Sequence, residues 1–331
     1  MKAIFRGGIG YLSRGLCTLF LLSALTAELA SAAAPVHLFG VGHTRTFGQP
    51  GELYTFDLNG DFDQRLFLPT AVNPSTAATI GGKLLVAEFR GAIESYTLAG
   101  DYLGQFADLT SLAGQQLNSQ LLETDAVGNV FVAFGGQGTL PRTSFRLDGQ
   151  GNITAQFSHP NLHPTAIDAA ANGDVYIMDA FDRLIRFTSA GDYVNTYPLA
   201  QLNGGSDIAI SETTGELYVA DYSGGAVLIY DLTSGAPVYQ DSIAINERVL
   251  DVFIEPKSGR IFGTYSTDLG AAIGFEISRN GTIIKTYSED AANTGDNGQN
   301  FDHIIAIAIP EPTTGVSISI LLLACAVRRK I

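Results

Sequence analysis

The stretch "GELYVADYSGGAVLIYDLTSG", Gly215 to Gly235, contains two short apolar runs and three glycine-marked turns. The runs "LYVA" and "VLIY" are rich in β-branched and aromatic residues, too short for helices, and bounded by turn formers. Together they read as an antiparallel hairpin that leads into a further strand. A hairpin alone does not choose a fold. The choice comes from how often this one recurs.

Six copies of its second half line up: "GELYTFDLNGDF" from Gly51, "GAIESYTLAGDYL" from Gly91, "TSFRLDGQGNI" from Thr143, "DRLIRFTSAGDYV" from Asp182, "AVLIYDLTSGAPV" from Ala226 and "AIGFEISRNGTII" from Ala272. Each runs into a hairpin-type turn and out into another β-like run. The turn glycines are Gly60, Gly100, Gly151, Gly191, Gly235 and Gly281, spaced 40, 51, 40, 44 and 46 residues apart. That period suits a four-stranded propeller blade. Upstream lie matching second strands, "GKLLVAEF" from Gly82, "GNVFVAF" from Gly128, "GDVYIMDAF" from Gly173, "GELYVADYS" from Gly215 and "GRIFGTYS" from Gly259. Innermost strands precede them, such as "TAIDAAA" from Thr165, "SDIAIS" from Ser206 and "VLDVFIE" from Val249. The first copy lacks an inner strand, and "FDHIIAIAI" from Phe301 has nothing after it to pair with. The expectation is therefore an all-β, six-bladed β-propeller over 33–309, closed by pairing that last strand with "VHLFGVGH" from Val36, which leaves no sheet edge at the join. An eight-stranded barrel or a β-sandwich would share the alternation without the repeat. The strands and turn glycines resemble the NHL-type six-bladed propellers and their lactonase-like relatives, most of all in Gly215 to Gly235.

Both ends stand apart from this pattern. Lys2, Arg6 and Arg14 precede the apolar stretch Leu16 to Leu25, and Ala30-Ser31-Ala32 offers a small-residue cleavage site, so 1–32 reads as a signal peptide for signal peptidase. At the other end Pro310-Glu311-Pro312 leads into the apolar run Gly315 to Val327 and then Arg328, Arg329 and Lys330. As a helix this run of 13 residues spans about 20 Å against a hydrocarbon core of about 30 Å, a short transmembrane sorting helix with its cations on the cytoplasmic side of the inner membrane. An ordinary tail anchor or a buried strand are the plainer readings. The order of 310–331 resembles the PEP-CTERM sorting signal. That resemblance implies an exosortase as processing partner in a Gram-negative bacterium, cleavage near Pro310 to Pro312, and delivery to the cell surface or exopolysaccharide matrix.

The chain has 33 acidic and 19 basic residues, a net charge of −14. Six of the basic residues but two of the acidic ones lie in the two ends, so the body is more acidic still. Such a field disfavours nucleic acid and anionic membranes and leaves a cation, a neutral glycan or a basic protein surface as partners. Cys17 and Cys325 both lie in the ends, so the body has no thiolate for catalysis or zinc and no disulfide.

No Gly-x-Ser-x-Gly nucleophile motif and no phosphate-binding glycine loop is present. The candidate site is the mouth of the central channel. Asp207 and Asp251 each stand eight residues before a turn glycine, on the inner strands of successive blades, and Asp302 takes the same place on the closing strand. His163 precedes another inner strand, and His43 and Arg45 occupy the long loop of the first blade. Three carboxylates at a channel mouth could hold Ca²⁺, which takes several oxygen ligands and, in a lactonase-like enzyme, would polarise a carbonyl. Their plainer use is to accept hydrogen bonds from backbone amides. Asp179, Asp221 and Glu88, at the ends of second strands, are read as turn-shaping residues, and His37, His159 and His303 as core or surface residues. "DLNGDFD" from Asp57 departs from the EF-hand loop, with Phe62 where glycine and Leu68 where glutamate are required. Two functions follow: a propeller that binds exopolysaccharide or a surface protein without catalysis, or a metal-assisted hydrolase or lactonase-like enzyme.

Overall fold

The computed structural model describes residues 36–308 apart from the stretches 43–49, 57–61, 73, 89–90, 114–119, 126, 135–142, 256–257, 267–271 and 288–300. For residues 36–42, 50, 62–65, 72, 111, 113, 120, 272 and 301–308 the description is of the backbone alone. The chain divides into a unit over Val36–Ile309 and a second one, 1–35 with 310–331, which lies outside the described residues. The readings of a signal peptide and a sorting helix therefore fall outside them. Among the described residues no helix is long and apolar enough to cross a membrane.

Strands β1 (Val36–Gly42), β2 (Pro50–Phe56) and β3 (Phe62–Val72) join the last strand, β24 (Phe301–Ala308), in one four-stranded sheet of order β24-β1-β2-β3. Five further four-stranded sheets complete a β-propeller. They are β4 (Pro74–Ile80), β5 (Lys83–Glu88), β6 (Ala92–Thr97) and β7 (Tyr102–Asp108); β8 (Gln120–Thr124), β9 (Val130–Phe134), β10 (Thr143–Leu147) and β11 (Ile153–Ser158); β12 (Pro164–Ala169), β13 (Val175–Asp179), β14 (Arg183–Phe187) and β15 (Tyr193–Pro198). The last two are β16 (Gly205–Ile210), β17 (Glu216–Asp221), β18 (Ala226–Asp231) and β19 (Val238–Ala244); and β20 (Arg248–Ile254), β21 (Ile261–Ser266), β22 (Ala272–Ile277) and β23 (Ile283–Tyr287). The first strand of each is innermost, and each inner strand contacts the next, β20 against β24 and β24 against β4 included. A one-turn helix, α1 (Thr110–Ala113), sits in the long gap between Gly100 and Gly151.

Six apolar cores lie in the seams between neighbouring sheets. Leu85, Ala87 and Ile93 meet Val130, Val132 and Leu147 in one, and Ile229, Ile243 and Val227 meet Val249, Val252 and Phe275 in another. Tyr54 and Phe56 of the first sheet meet Phe262 and Tyr287 of the last, so the final seam is filled as well. Each sheet is covered on both faces. That is why β9 and β13 are buried at every position and read as continuous apolar runs rather than as alternations. A fully buried Leu, Val or Phe contributes about 1.5–3 kcal/mol relative to exposure. The Arg279–Asp241 pair at 3.5 Å between exposed side chains contributes under about 1 kcal/mol, so packing of the seams dominates.

The turns into the outer strands share one geometry. Gly151 N–H donates to the Asp148 carbonyl at 2.9 Å, and the same bond closes Gly100 on Thr97, Gly191 on Thr188 and Gly281 on Ser278. The glycine alone has positive φ, 90° at Gly100, 84° at Gly151 and 96° at Gly191, and a register shift follows each turn. This is a type I turn with a glycine bulge rather than a two-residue turn, so the residue before the glycine can be Ala or Gln as readily as Asn.

Candidate functional site

Antiparallel pairing fixes the height of each inner-strand residue in the channel. Asp207 lies opposite Ala220 and Asp251 opposite Thr264, each one residue past a bulge at the start of its strand. They therefore stand at one level on adjacent blades. On β24 the same shift places Phe301 opposite Gly42 and His303 opposite Val41, so His303 rather than Asp302 takes that level, with Asp302 at the bulge. The side chains of Asp302 and His303 are outside the described residues, as are His43 and Arg45 altogether.

Two further acids share this strand face one step deeper: Asp168, opposite Tyr176, and Glu123, opposite Phe131. Four consecutive blades thus each point a carboxyl group along the channel. Sequence reading missed these two as site residues. Each stands five residues before its turn glycine, Gly128 or Gly173, where Asp207 and Asp251 stand eight before theirs.

An inner strand has one free edge, whose N–H groups need acceptors. The acids supply them. Asp168 Oδ2 accepts the Ile210 N–H of the next blade at 2.6 Å, and its Oδ1 accepts the Ala169 N–H at 2.7 Å. Asp207 Oδ2 likewise accepts the Val252 N–H of the next blade at 3.0 Å. Of the three expected acids, Asp207 is seen as an amide acceptor, with its amide on the neighbouring strand rather than in a loop. Asp207 also hydrogen-bonds to Asp251, which requires a proton between them. Burial pushes the Asp207 carboxyl well above the ordinary range, and the charge and hydrogen bond of Asp251 push it further. Glu123 is raised by burial and then by the charges of Asp168 and Asp251. Asp168 is pushed up to about 7 by burial, against the pull of its two backbone bonds.

A divalent cation needs several ionised oxygens converging on one point. Asp207 gives one oxygen to a strand amide and lies against the Asp251 carboxyl. Among the described residues no group of three His, Cys, Asp or Glu side chains is arranged to hold a metal. Of the expected Ca²⁺ set, Asp207 and Asp251 are described and the Asp302 side chain lies outside the described residues.

The described loops of the mouth include those of the blades of β12 and β16. Asp179 and Asp221 shape them: Asp179 accepts the Phe181 N–H at 3.0 Å and pairs with Arg183, and Asp221 accepts the N–H groups of Gly224 at 2.9 Å and Asn203 at 3.2 Å. Asp182, at φ 56°, accepts from Gly204 and Gly205 at 3.1 and 3.0 Å, which ties the two blades at the mouth. Phe181 is 59% exposed and Tyr222 36%. Arg183 lies 5.1 Å from the centre of the Phe181 ring, and Arg248 5.7 Å from that of Tyr222. His163 meets Phe181 edge-on at 5.0 Å. His159 and His163 form a His-x-x-x-His pair, which sequence reading counted as absent and whose spacing suits two metal ligands on a helix. Here the segment is a turn, with Leu162 N–H bonded to the His159 carbonyl at 3.0 Å, and His159 stacks instead on Tyr193 at 4.9 Å.

No family model and no curated protein matches the sequence. Solved structures match the fold. A chain of a nidogen–laminin complex is 14% identical with a TM-score of 0.60, covering 83% of this chain and 98% of that one. The WD40 β-propeller domain of Doa1 is 10% identical with a TM-score of 0.55 over the same shares, 83% and 98%. A putative 6-phosphogluconolactonase from Bacteroides uniformis is 15% identical with a TM-score of 0.54, covering 77% of this chain and 83% of that one. At these identities the likeness is one of fold: the chain is a β-propeller with WD40 and lactonase-like structural neighbours.

Proposed function

We propose that this chain is an exported binding propeller, directed to the cell surface or matrix by its PEP-CTERM-like tail, that takes a glycan chain across the loops of its mouth. One observation carries the binding reading. Phe181 and Tyr222 stand exposed on adjacent blades, each with an arginine over one face of its ring. Aromatic faces flanked by hydrogen-bond donors suit the apolar face and hydroxyl rim of a sugar. The channel acids favour binding over hydrolysis, since Asp168 and Asp207 already serve the neighbouring strands. The test is calorimetry of the purified protein against the cell's own exopolysaccharide. Replacing both Phe181 and Tyr222 by Ala is expected to weaken binding about tenfold or more, about 1.4 kcal/mol. Equal affinity in the double variant would move the ligand elsewhere.

A further inference from the structure

We propose that the seam between the blades of β16 and β20 is a proton-operated latch, which Asp207 and Asp251 hold shut by sharing one proton and which loosens when that proton leaves. The geometry comes first. Asp207 reaches from β16 to the Val252 N–H of β20 with Oδ2, and its carboxyl lies beside that of Asp251, the residue before Val252. Both contacts cross the same seam, and Asp207 and Asp251 are 5% and 6% exposed. With the proton in place the pair is a hydrogen bond. Without it, two carboxylates face each other with little water between them.

The surroundings offer no neutralising cation among the described residues. β8 contributes Glu123 and β12 contributes Asp168, both acidic and facing the same channel. β17 contributes Asp221, which is turned to the amides of Gly224 and Asn203. β21 contributes Tyr265, which burial keeps neutral beyond its ordinary range. Arg248, at the start of β20, lies over Tyr222 at the mouth. β24 carries Asp302 and His303 at register positions near this level.

The sign of the effect follows from the proton count. An acid raised in the fold keeps its proton where the unfolded chain, with ordinary carboxyls near 4, has lost it. The folded protein then binds more protons, and stability falls as pH rises. The loss begins just above the ordinary carboxyl range and passes through about 7 for Asp168, while Asp207 keeps its proton well beyond that ordinary range.

Asn at either position mimics the protonated form, because its amide can donate where the shared proton did. The expected result is a wild-type melting temperature about 5 °C lower at pH 8 than at pH 5, with Asp207→Asn and Asp251→Asn each losing about half of that drop or more. A drop of full size in both variants overturns the latch. Should a variant fail to fold, infrared spectroscopy of a Glu123→Gln, Asp168→Asn protein, which lacks the other two raised channel carboxyls, decides. A protonated carboxyl band that persists above the ordinary carboxyl range and is lost together with melting temperature on raising the pH further supports the proposal. Its absence above that range overturns it.

Discussion

Gly151 does two things that no other residue can do at once. Its φ of 84° lies where a side chain is strained, and a Cβ there would come within 2.1 Å of the Phe106 carbonyl oxygen on the preceding blade. Gly191 repeats both constraints, its Cβ meeting the Gln156 carbonyl at 2.3 Å. The turn glycines thus set how closely the outer edge of one blade seats against the next. By contrast Gly82, at φ 77°, has open space around it. Gly151→Ala is expected to cost about 2–4 kcal/mol, backbone strain and steric displacement together, and Gly82→Ala about 1 kcal/mol from strain alone. Urea unfolding of the two variants beside the wild type checks the difference. Equal costs would mean that close approach contributes nothing. The turn role of these glycines was legible from the sequence, because turn chemistry is local. The approach to the next blade was not, since Phe106 and Gly151 are 45 residues apart. Glu123 and Asp168 escaped for a related reason. The β12–β13 turn closes Gly173 on Ala170, whereas the β16–β17 turn closes Gly215 on Ser211, one residue longer, so a fixed count back from the glycine lands on different levels of the channel.

At the scale of the element, β24 decides whether the first sheet has an inner strand. It pairs with β1 from Val36 opposite Ala308 to Gly42 opposite Phe301 and contacts the inner strands on either side. Deleting 301–308 would leave β1 with an unpaired edge toward the channel and remove packing from two seams at once. The expected outcome is loss of cooperative unfolding and aggregation on heating, read by calorimetry and light scattering. A deletion variant that melts as the wild type does would mean that the ring closes elsewhere. This element was legible as a strand without a partner, from "FDHIIAIAI" at the end of a repeat whose first copy lacked one. β4 and β8 were harder to see, because "PSTAATI" and "QLLET" carry small or polar residues where inner strands elsewhere carry Ile and Val. Inner strands lie near the axis where space is least, so Ala77 and Ala78 fill it and the apolar signal weakens.

For the whole molecule, the proposed route of delivery separates the body from its address. Deleting 310–331 is expected to leave the fold of the body intact and to release it in soluble form into the periplasm, which cell fractionation and thermal melting together would check. An unchanged surface fraction after the deletion would assign delivery to the body. The outer strands are built against pairing edge to edge with another sheet. Tyr102, Tyr193, Val238 and Ile283 are exposed at corresponding starts of outer strands. Those strands are bulged, and a bulged edge is a poor template for a further strand.

The pairing of Val36 with Ala308 also has a mechanical side. The first and last strands of the ring run antiparallel, with the ends of the propeller unit adjacent. A force drawing those two ends apart would meet the hydrogen bonds between β1 and β24 one after another, beginning at Val36, rather than all together. A body whose two ends were drawn in opposite directions would therefore open by peeling at low load, starting from that join. Load on one end alone would not separate the two strands in this way.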